Sequence, residues 1–321
     1  MMLPKVSIII PCYNAENVID ETLECLERQT DKCFEAVFVN DGSTDNTQSK
    51  LEQFKEKSSI SAVILKKANG GVSSARNAGM AIAQGEYLAF LDADDLLADN
   101  FVEVMLSAIE TANADVAYCK LSRNLSILFN QDIITEQIIS EDAESAMNRL
   151  LFQMGKYGFY CYIYRRNLLQ KYGIVFDETC KYGEDREFIW KYIVHCEKFV
   201  SVDAILYGYR ENPSSATKKK ASWRRTDSLQ AVKRVEKYMQ EYNTDFLPIY
   251  ADYMYARDMW AVAKAFAVTG ARECFNRLCR EYDVKHCMKR TVSDSNKLVR
   301  LASILFLIHP SLYYYSIRLR G

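Results

Sequence analysis

Residues Gly85 to Leu97 read GEYLAFLDADDLL. Tyr87 to Leu91 form an apolar run of strand character that leads straight into Asp92, Ala93, Asp94 and Asp95. In an extended chain, residues two apart point the same way, so Asp92 and Asp94 are expected to face one side of the strand end. Open α/β sheets bind ligands there, beyond the carboxyl ends of their strands. The pair has no lysine or arginine beside it in sequence, which suits a hard divalent cation. Mg²⁺-type ions take one or two carboxylates and leave phosphate oxygens and water to complete the shell. A surface turn rich in Asp is the plainer reading of the same residues.

Upstream, Val6 to Ile10 (VSIII) is a β-branched run that fits a buried parallel strand. The loop Pro11-Cys12-Tyr13-Asn14 follows, with Asn14 expected to cap a helix whose apolar positions run from Ala15 to Leu26. Phe34 to Val39 reads as a second strand, ending in Asn40-Asp41-Gly42-Ser43-Thr44-Asp45, where Asp45 is the expected cap of a helix from Asn46 to Lys57. Ala62 to Leu65 is a third strand, Asn69-Gly70-Gly71 a turn, and Val72 to Ala83 a helix. Beyond the opening stretch come a helix over Phe101 to Thr111 and a strand over Asp115 to Cys119. Strands alternating with helices predict an α/β fold with a mostly parallel, doubly wound sheet. From Trp223 onward the pattern turns helical, with Leu229, Val232, Val235, Tyr238 and Met239 on one stripe.

Composition narrows the function. A net charge of −1 over 321 residues argues against a general nucleic-acid binder. The ten cysteines include no CxxC pair, which fits neither a zinc site nor a small disulfide framework and predicts reduced thiols in a cytoplasmic protein. The start, MMLPKVSIII, lacks the longer apolar region of a signal peptide, and no run approaches the roughly 20 apolar residues of a membrane span. Neither GxGxxG after the first strand nor GxxxxGK[ST] occurs, which argues against a dehydrogenase and a P-loop enzyme. His195, His286 and His309 lack metal-ligand spacing.

Five segments occur in a meaningful order: VSIIIPCYNAE, VNDGSTDNT, NGGVSSARNAG, GEYLAFLDADD and GEDREFIW. Together they resemble the family 2 inverting glycosyltransferases of the GT-A fold, bacterial polysaccharide-biosynthesis type, over roughly residues 4 to 190. The segment YGYRENPSSAT resembles that family's closing loop. The resemblance implies a Rossmann-like GT-A domain over 1–215, with a nucleotide-sugar half over 1–120 and an acceptor half over 121–215. A helical C-terminal region over 216–321 would follow it.

The resemblance also implies roles. Pro11, Tyr13 and Asn14 match the first nucleotide-contacting loop, with Tyr13 stacked on uracil. Asp41 matches the acid that pairs with the base ring or the ribose, able to accept from the uracil N–H, with Ser43 in reach. Asn69, Gly70 and Arg76 match a third contact region, Arg76 reaching the donor's diphosphate or sugar. Asp94 matches the direct ligand of Mn²⁺ or Mg²⁺, while Asp92 holds the ribose or a metal-bound water. Asp185 matches the general base and Glu184 its supporting residue; acids at the first turn of a helix are also favourable by themselves. Arg210, or the run Lys218-Lys219-Lys220, is implied to contact diphosphate, with Tyr207 and Ser215 in the same loop.

The expected donor is a nucleotide sugar, most simply a UDP-sugar, and the expected acceptor a glycan or lipid-diphosphate-linked glycan. Leu298 to Leu319 joins LASILFLI to Tyr313-Tyr314-Tyr315, Arg318 and Arg320, a mix that suits contact with a membrane surface at the cytoplasmic face. A terminal helix packed on the core is the alternative. Two other functions compete: a nucleotidyltransferase, which needs a basic Gly-rich loop where this chain has PCYNAEN, and an inactive sugar-nucleotide-binding scaffold, which would be expected to lack the acidic pairs.

Overall fold

The computed structural model describes residues 3–128, 138–153, 158–211, 220–243 and 245–319. They build two compact units. One comprises Met1–Glu178 with His195–Glu211, the other Thr179–Val194 with Asn212–Gly321. The helix carrying Glu184 and Asp185 therefore belongs to the second unit, although the chain returns to the first directly afterwards.

The sheet unit opens with β1 (Val6–Cys12), α1 (Ile19–Glu27), β2 (Phe34–Asp41), α2 (Thr47–Lys57), β3 (Ser61–Lys67), α3 (Val72–Ile82) and β4 (Tyr87–Phe90). It continues with β5 (Leu96–Leu97), α4 (Phe101–Thr111), β6 (Val116–Ser122), β7 (Ile138–Asp142), α5 (Ala143–Gln153), β8 (Tyr162–Arg165) and α6 (Arg166–Lys171), and closes with β9 (Lys198–Gly208). The nine strands form one sheet in the order β3-β2-β1-β4-β8-β6-β9-β5, with β7 paired to β9. β1 to β4 are mutually parallel, as the alternation predicts. Beyond β4 the sheet is mixed, because β8 runs antiparallel to both β4 and β6 while β6 and β9 are parallel. The sequence reading does not extend past β6, because antiparallel pairings there replace the repeated parallel βαβ order.

β3, at the sheet edge, is only partly covered, whereas β1 and β2 are buried by apolar residues on both faces: every residue of β2 is buried, and Val6, Ile8, Ile9 and Ile10 of β1 are fully so. Each such side chain stabilises the fold by about 1.5–3 kcal/mol. One buried polar knot sets the start of β4. The Ser7 hydroxyl donates to Glu35 Oε1 (2.6 Å), and the amides of Gln84 and Gly85 donate to Glu35 and to Ser7 Oγ. Gly85 comes so close that a Cβ there would lie 2.6 Å from the Ser7 nitrogen, so only glycine fits at the head of the stretch quoted first.

The helical unit holds α7 (Glu184–Ile193), α8 (Asp227–Tyr242), α9 (Leu247–Val268), α10 (Arg272–Glu281), α11 (Val284–Thr291), α12 (Lys297–Ile308) and α13 (Pro310–Arg318). Leu229, Val232, Val235 and Met239 are buried as their spacing predicts, and Tyr238 is half-buried. No helix among the described residues is long and apolar enough to cross a membrane.

Candidate active site

The loops at the carboxyl ends of β1, β2 and β3 are sewn to one another. β1 extends further than the sequence suggests: Pro11 and Cys12 are still strand, opposite Val39 and Asn40. Tyr13 then projects with 55% of its surface exposed. Asn14 is not the cap of α1, which begins only at Ile19 behind Val18. It sits instead in the left-handed region at φ 48°, which Asn tolerates better than most residues. From there its amide donates to Ser43 Oγ (3.0 Å), and its side-chain oxygen accepts from the Thr44 amide (2.9 Å). Asp45 does serve the first turn of α2, accepting from the amide and hydroxyl of Thr47, and it also receives the Glu16 amide.

Asp41 is buried and tied to the third loop. Its Oδ1 accepts from Lys67 Nζ (2.7 Å) and the Gly70 amide (3.0 Å), and its Oδ2 from the Gly71 amide (2.8 Å). Asn69 donates to the Asp41 carbonyl (2.9 Å). Gly71 adopts φ 89° as it enters α3, a conformation that favours glycine. Lys67 was missed by sequence reasoning; nothing in AVILKKANGG marks one of its lysines as a partner of Asp41.

At β4 the strand stops at Phe90, and Asp92 to Asp95 form a turn in which the Asp95 amide donates to the Asp92 carbonyl (3.0 Å). Strand alternation therefore does not aim Asp92 and Asp94; the turn does. The Thr22 hydroxyl holds it from below, 3.0 and 2.9 Å from the carbonyls of Ala93 and Asp95. Arg76 is buried, its guanidinium lying over Phe159 and Phe176 and donating to Asp92 Oδ1 at 2.8 Å. It is thus committed to Asp92 here, as the residue that sets the carboxylate's position.

Asp95 faces inward. Its Oδ2 accepts from the Tyr207 hydroxyl (2.7 Å) and its Oδ1 from the Arg210 amide (2.8 Å). Arg210's guanidinium forks onto Glu21 (3.0 and 2.6 Å), and Tyr207 stacks on Tyr160. Burial pushes the Asp95 carboxyl up to about 8, and the neighbouring charges of Asp92 and Asp94 push the same way. Among the described residues no three or more His, Cys, Asp and Glu gather as a metal cage. With Asp95 engaged elsewhere, Asp92 and Asp94 fit an ion of the Mg²⁺ or Mn²⁺ kind that takes two carboxylates and finds its other ligands on phosphate and water. Ser215, Lys218 and Lys219 lie outside the described residues.

In the helical unit, Glu184 and Asp185 occupy the first turn of α7, behind Gly183 at φ 93°. Phe188, Ile189, Tyr192 and Ile193 are buried, as the spacing predicts. Asp185 is half-buried, and its Oδ1 accepts from the Arg186 amide (2.7 Å). Glu187, only 2% exposed, is clamped by Arg234 through Nε (3.0 and 2.9 Å) and Nη2 (2.6 Å), and by Lys191 at 2.7 Å. That clamp raises the Arg234 pKa further. Arg186 pairs with the buried Asp258. All ten cysteines are free thiols.

Comparison with known proteins adds a second line. A family model described as Glycosyl transferase family 2 matches residues 7–173. The uncharacterized glycosyltransferase EpsJ of Bacillus subtilis is 32% identical over 225 residues, which are 67% of this chain and 64% of EpsJ. Poly(ribitol-phosphate) beta-N-acetylglucosaminyltransferase TarS of Staphylococcus aureus is 28% identical over 210 residues, 64% of this chain and 35% of TarS. The matches thus span less than two thirds of either relative. A crystal structure of TarS 1–349 with UDP-GlcNAc aligns with TM-score 0.64 at 21% identity, covering 98% of this chain and 88% of that one. The mannosyltransferase PcManGT of Pyrobaculum calidifontis, with GDP-Man and Mn²⁺, aligns with TM-score 0.57 at 16% identity, covering 99% and 88%. At these identities the two structures speak to the fold, which is GT-A.

Proposed function

The chain belongs to glycosyl transferase family 2, and from that premise we propose that it transfers a hexose from a nucleotide sugar to a hydroxyl, with inversion at the anomeric carbon. The donor we propose is a UDP-sugar, and the acceptor a glycan or lipid-diphosphate-linked glycan in cell-surface polysaccharide synthesis at the cytoplasmic face of a membrane. The observation that carries the reading is the acidic turn at the end of β4, beside loops that Asn14 and Asp41 hold together.

Tyr13 stacks on the base, since aromatic rings bind bases through their faces. Asp41 has about four lone-pair sites, and Lys67, Gly70 and Gly71 use three, which leaves one for the uracil N–H. Asp92, positioned by Arg76, and Asp94 hold Mn²⁺ or Mg²⁺. When bound, that ion neutralises charge on the departing diphosphate. Asp185 takes the proton of the acceptor hydroxyl as its oxygen bonds to the anomeric carbon and the bond to diphosphate breaks, releasing the nucleoside diphosphate. Glu184 supports it; the GEDREFIW resemblance carries both assignments. UDP-GlcNAc on TarS and GDP-Man with Mn²⁺ on PcManGT support the donor class and the metal. The name of TarS supports the polysaccharide setting.

Calorimetry and turnover with a panel of nucleotide sugars, with Mn²⁺ and with chelator, test the proposal. One UDP-hexose should bind and be slowly hydrolysed, and both should vanish with chelator. Binding indifferent to metal, or no binding, overturns it.

A further inference from the structure

A surface helix ordinarily turns apolar residues inward and polar ones to water. α12 breaks that rule. Val299, Ala302, Ser303 and Phe306 face the interior of the helical unit and are buried. The opposite face is also apolar: Leu298 and Ile308 are 64% and 66% exposed, and Leu301 and Ile304 lie between them. α13, packed against α12, also exposes the apolar Leu312 and the aromatic Tyr315. Beside this apolar face, α9, α12 and α13 enclose an apolar groove of about 420 Å³.

Charge decides what covers this face. From Ser295 to Gly321 the sequence contains Lys297, Arg300, Arg318 and Arg320 and no Asp or Glu, although acids and bases are nearly equal in number over the chain. Lys297 is exposed at the head of α12, Arg300 stands half-buried one turn on, and Arg318 is exposed on α13. Asp294, the nearest acid in sequence, is buried and paired with Arg257. A twofold contact between copies would set the same patch against itself and bring these cations together. A surface of anionic headgroups over acyl chains complements both the charge and the apolar strip. Tyr315 adds an aromatic body with a polar tip, suited to that boundary.

We propose that the outward face of α12 and α13 is a docking surface for an anionic lipid bilayer, with both helices lying in the plane of its interface. α12 has 12 residues and spans about 18 Å, too short to cross and long enough to lie flat. The inference rests on the lipid-linked acceptor reading above and gives it a surface and a lipid class.

Vesicle flotation of the full chain tests it. The protein should float with vesicles of phosphatidylcholine and phosphatidylglycerol, and about tenfold less with phosphatidylcholine alone. The double variant Ile304→Glu/Ile308→Glu should lose about a hundredfold in vesicle affinity, and Lys297→Glu/Arg300→Glu about tenfold. All four positions stand apart from the donor loops in sequence and fold unit, so metal-dependent donor hydrolysis should be unchanged and reports that the variants are folded. If the isoleucine variant floats as the parent does, this face is not the docking surface although the membrane reading survives. If the parent floats with neither vesicle while hydrolysing donor, the membrane reading fails and the transferase reading stands. If sedimentation shows a dimer that the isoleucine variant dissociates, the occupant is a second copy and the proposal is overturned.

Discussion

Two four-residue runs in this chain look alike on paper: DADD at residues 92–95 and EDRE at 184–187. Each packs three carboxylates into one turn. In the helical run the innermost acid, Glu187, is clamped by Arg234 and Lys191, and the intervening Arg186 is drawn off to Asp258. In the strand-end run the innermost acid, Asp95, receives a hydroxyl and an amide rather than a cation, and its carboxyl is pushed up by burial and by its own neighbours. In the first run the ion pairs fall on the innermost acid, whereas in the second the innermost acid takes neutral donors and the ion pair falls on Asp92, through Arg76. The lesson is that an acidic motif acquires chemistry from its partners, which lie 47 residues away for Glu187 and 16 for Asp92.

The comparison can be broken most directly at the strand end. Asp94→Asn should lower transferase turnover by three orders of magnitude or more, because a metal that neutralises a leaving diphosphate contributes several kcal/mol of about 1.4 kcal/mol per decade. It should also abolish any rise in melting temperature on adding Mn²⁺ with donor; a variant that keeps both removes the cation from the argument. Next is Asp185→Asn, expected to reduce kcat by about two to three orders while calorimetric donor affinity holds. Parent-like kcat would leave the helical run purely structural.

A third test addresses neutralisation itself. Arg234→Met leaves Glu187 buried with Lys191 alone, and removing one partner of a buried pair costs about 3 kcal/mol. Urea unfolding of the full chain should register that loss, and Glu187→Gln in the same background should recover part of it. No recovery would mean that Arg234 acts through packing rather than charge.

The smallest effect is a pH control on the sheet unit. His195 stacks on Tyr172, and burial, aided by Lys171, lowers its pKa from 6.5 to about 4. The folded form then binds fewer protons than the unfolded one between those values. Stability is therefore present above the unfolded pKa and falls as pH drops from about 6.5 towards 4. His195→Gln should flatten the thermal-melt profile over that window and change nothing above it. An unchanged slope would assign the acid lability to other groups.

The chain's local signals were strong where they were needed for the scaffold. β-branched runs, glycine turns and helical spacing gave α2, α3, α4 and β4 to within one residue and β1 to β3 to within about two, and the ordered motifs gave the family. Backbone propensity and apolar period act over a few residues, so a one-dimensional reading can see them. It could not see that Asn14 clasps Ser43 and Thr44 instead of capping a helix, since that depends on a left-handed backbone meeting a loop 29 residues on. It could not see Lys67 on Asp41, Arg76 on Asp92 or Arg234 on Glu187. Nor could it tell that α12 turns apolar residues outward as well as inward, because an all-round apolar helix reads the same whether buried or half-exposed. Sequence alone determined which residues sit at the strand ends and at the head of α7. Tertiary structure decided which of their charges are answered and which faces stay open, because Coulomb attraction and solvent exposure depend on distance through space and not along the chain.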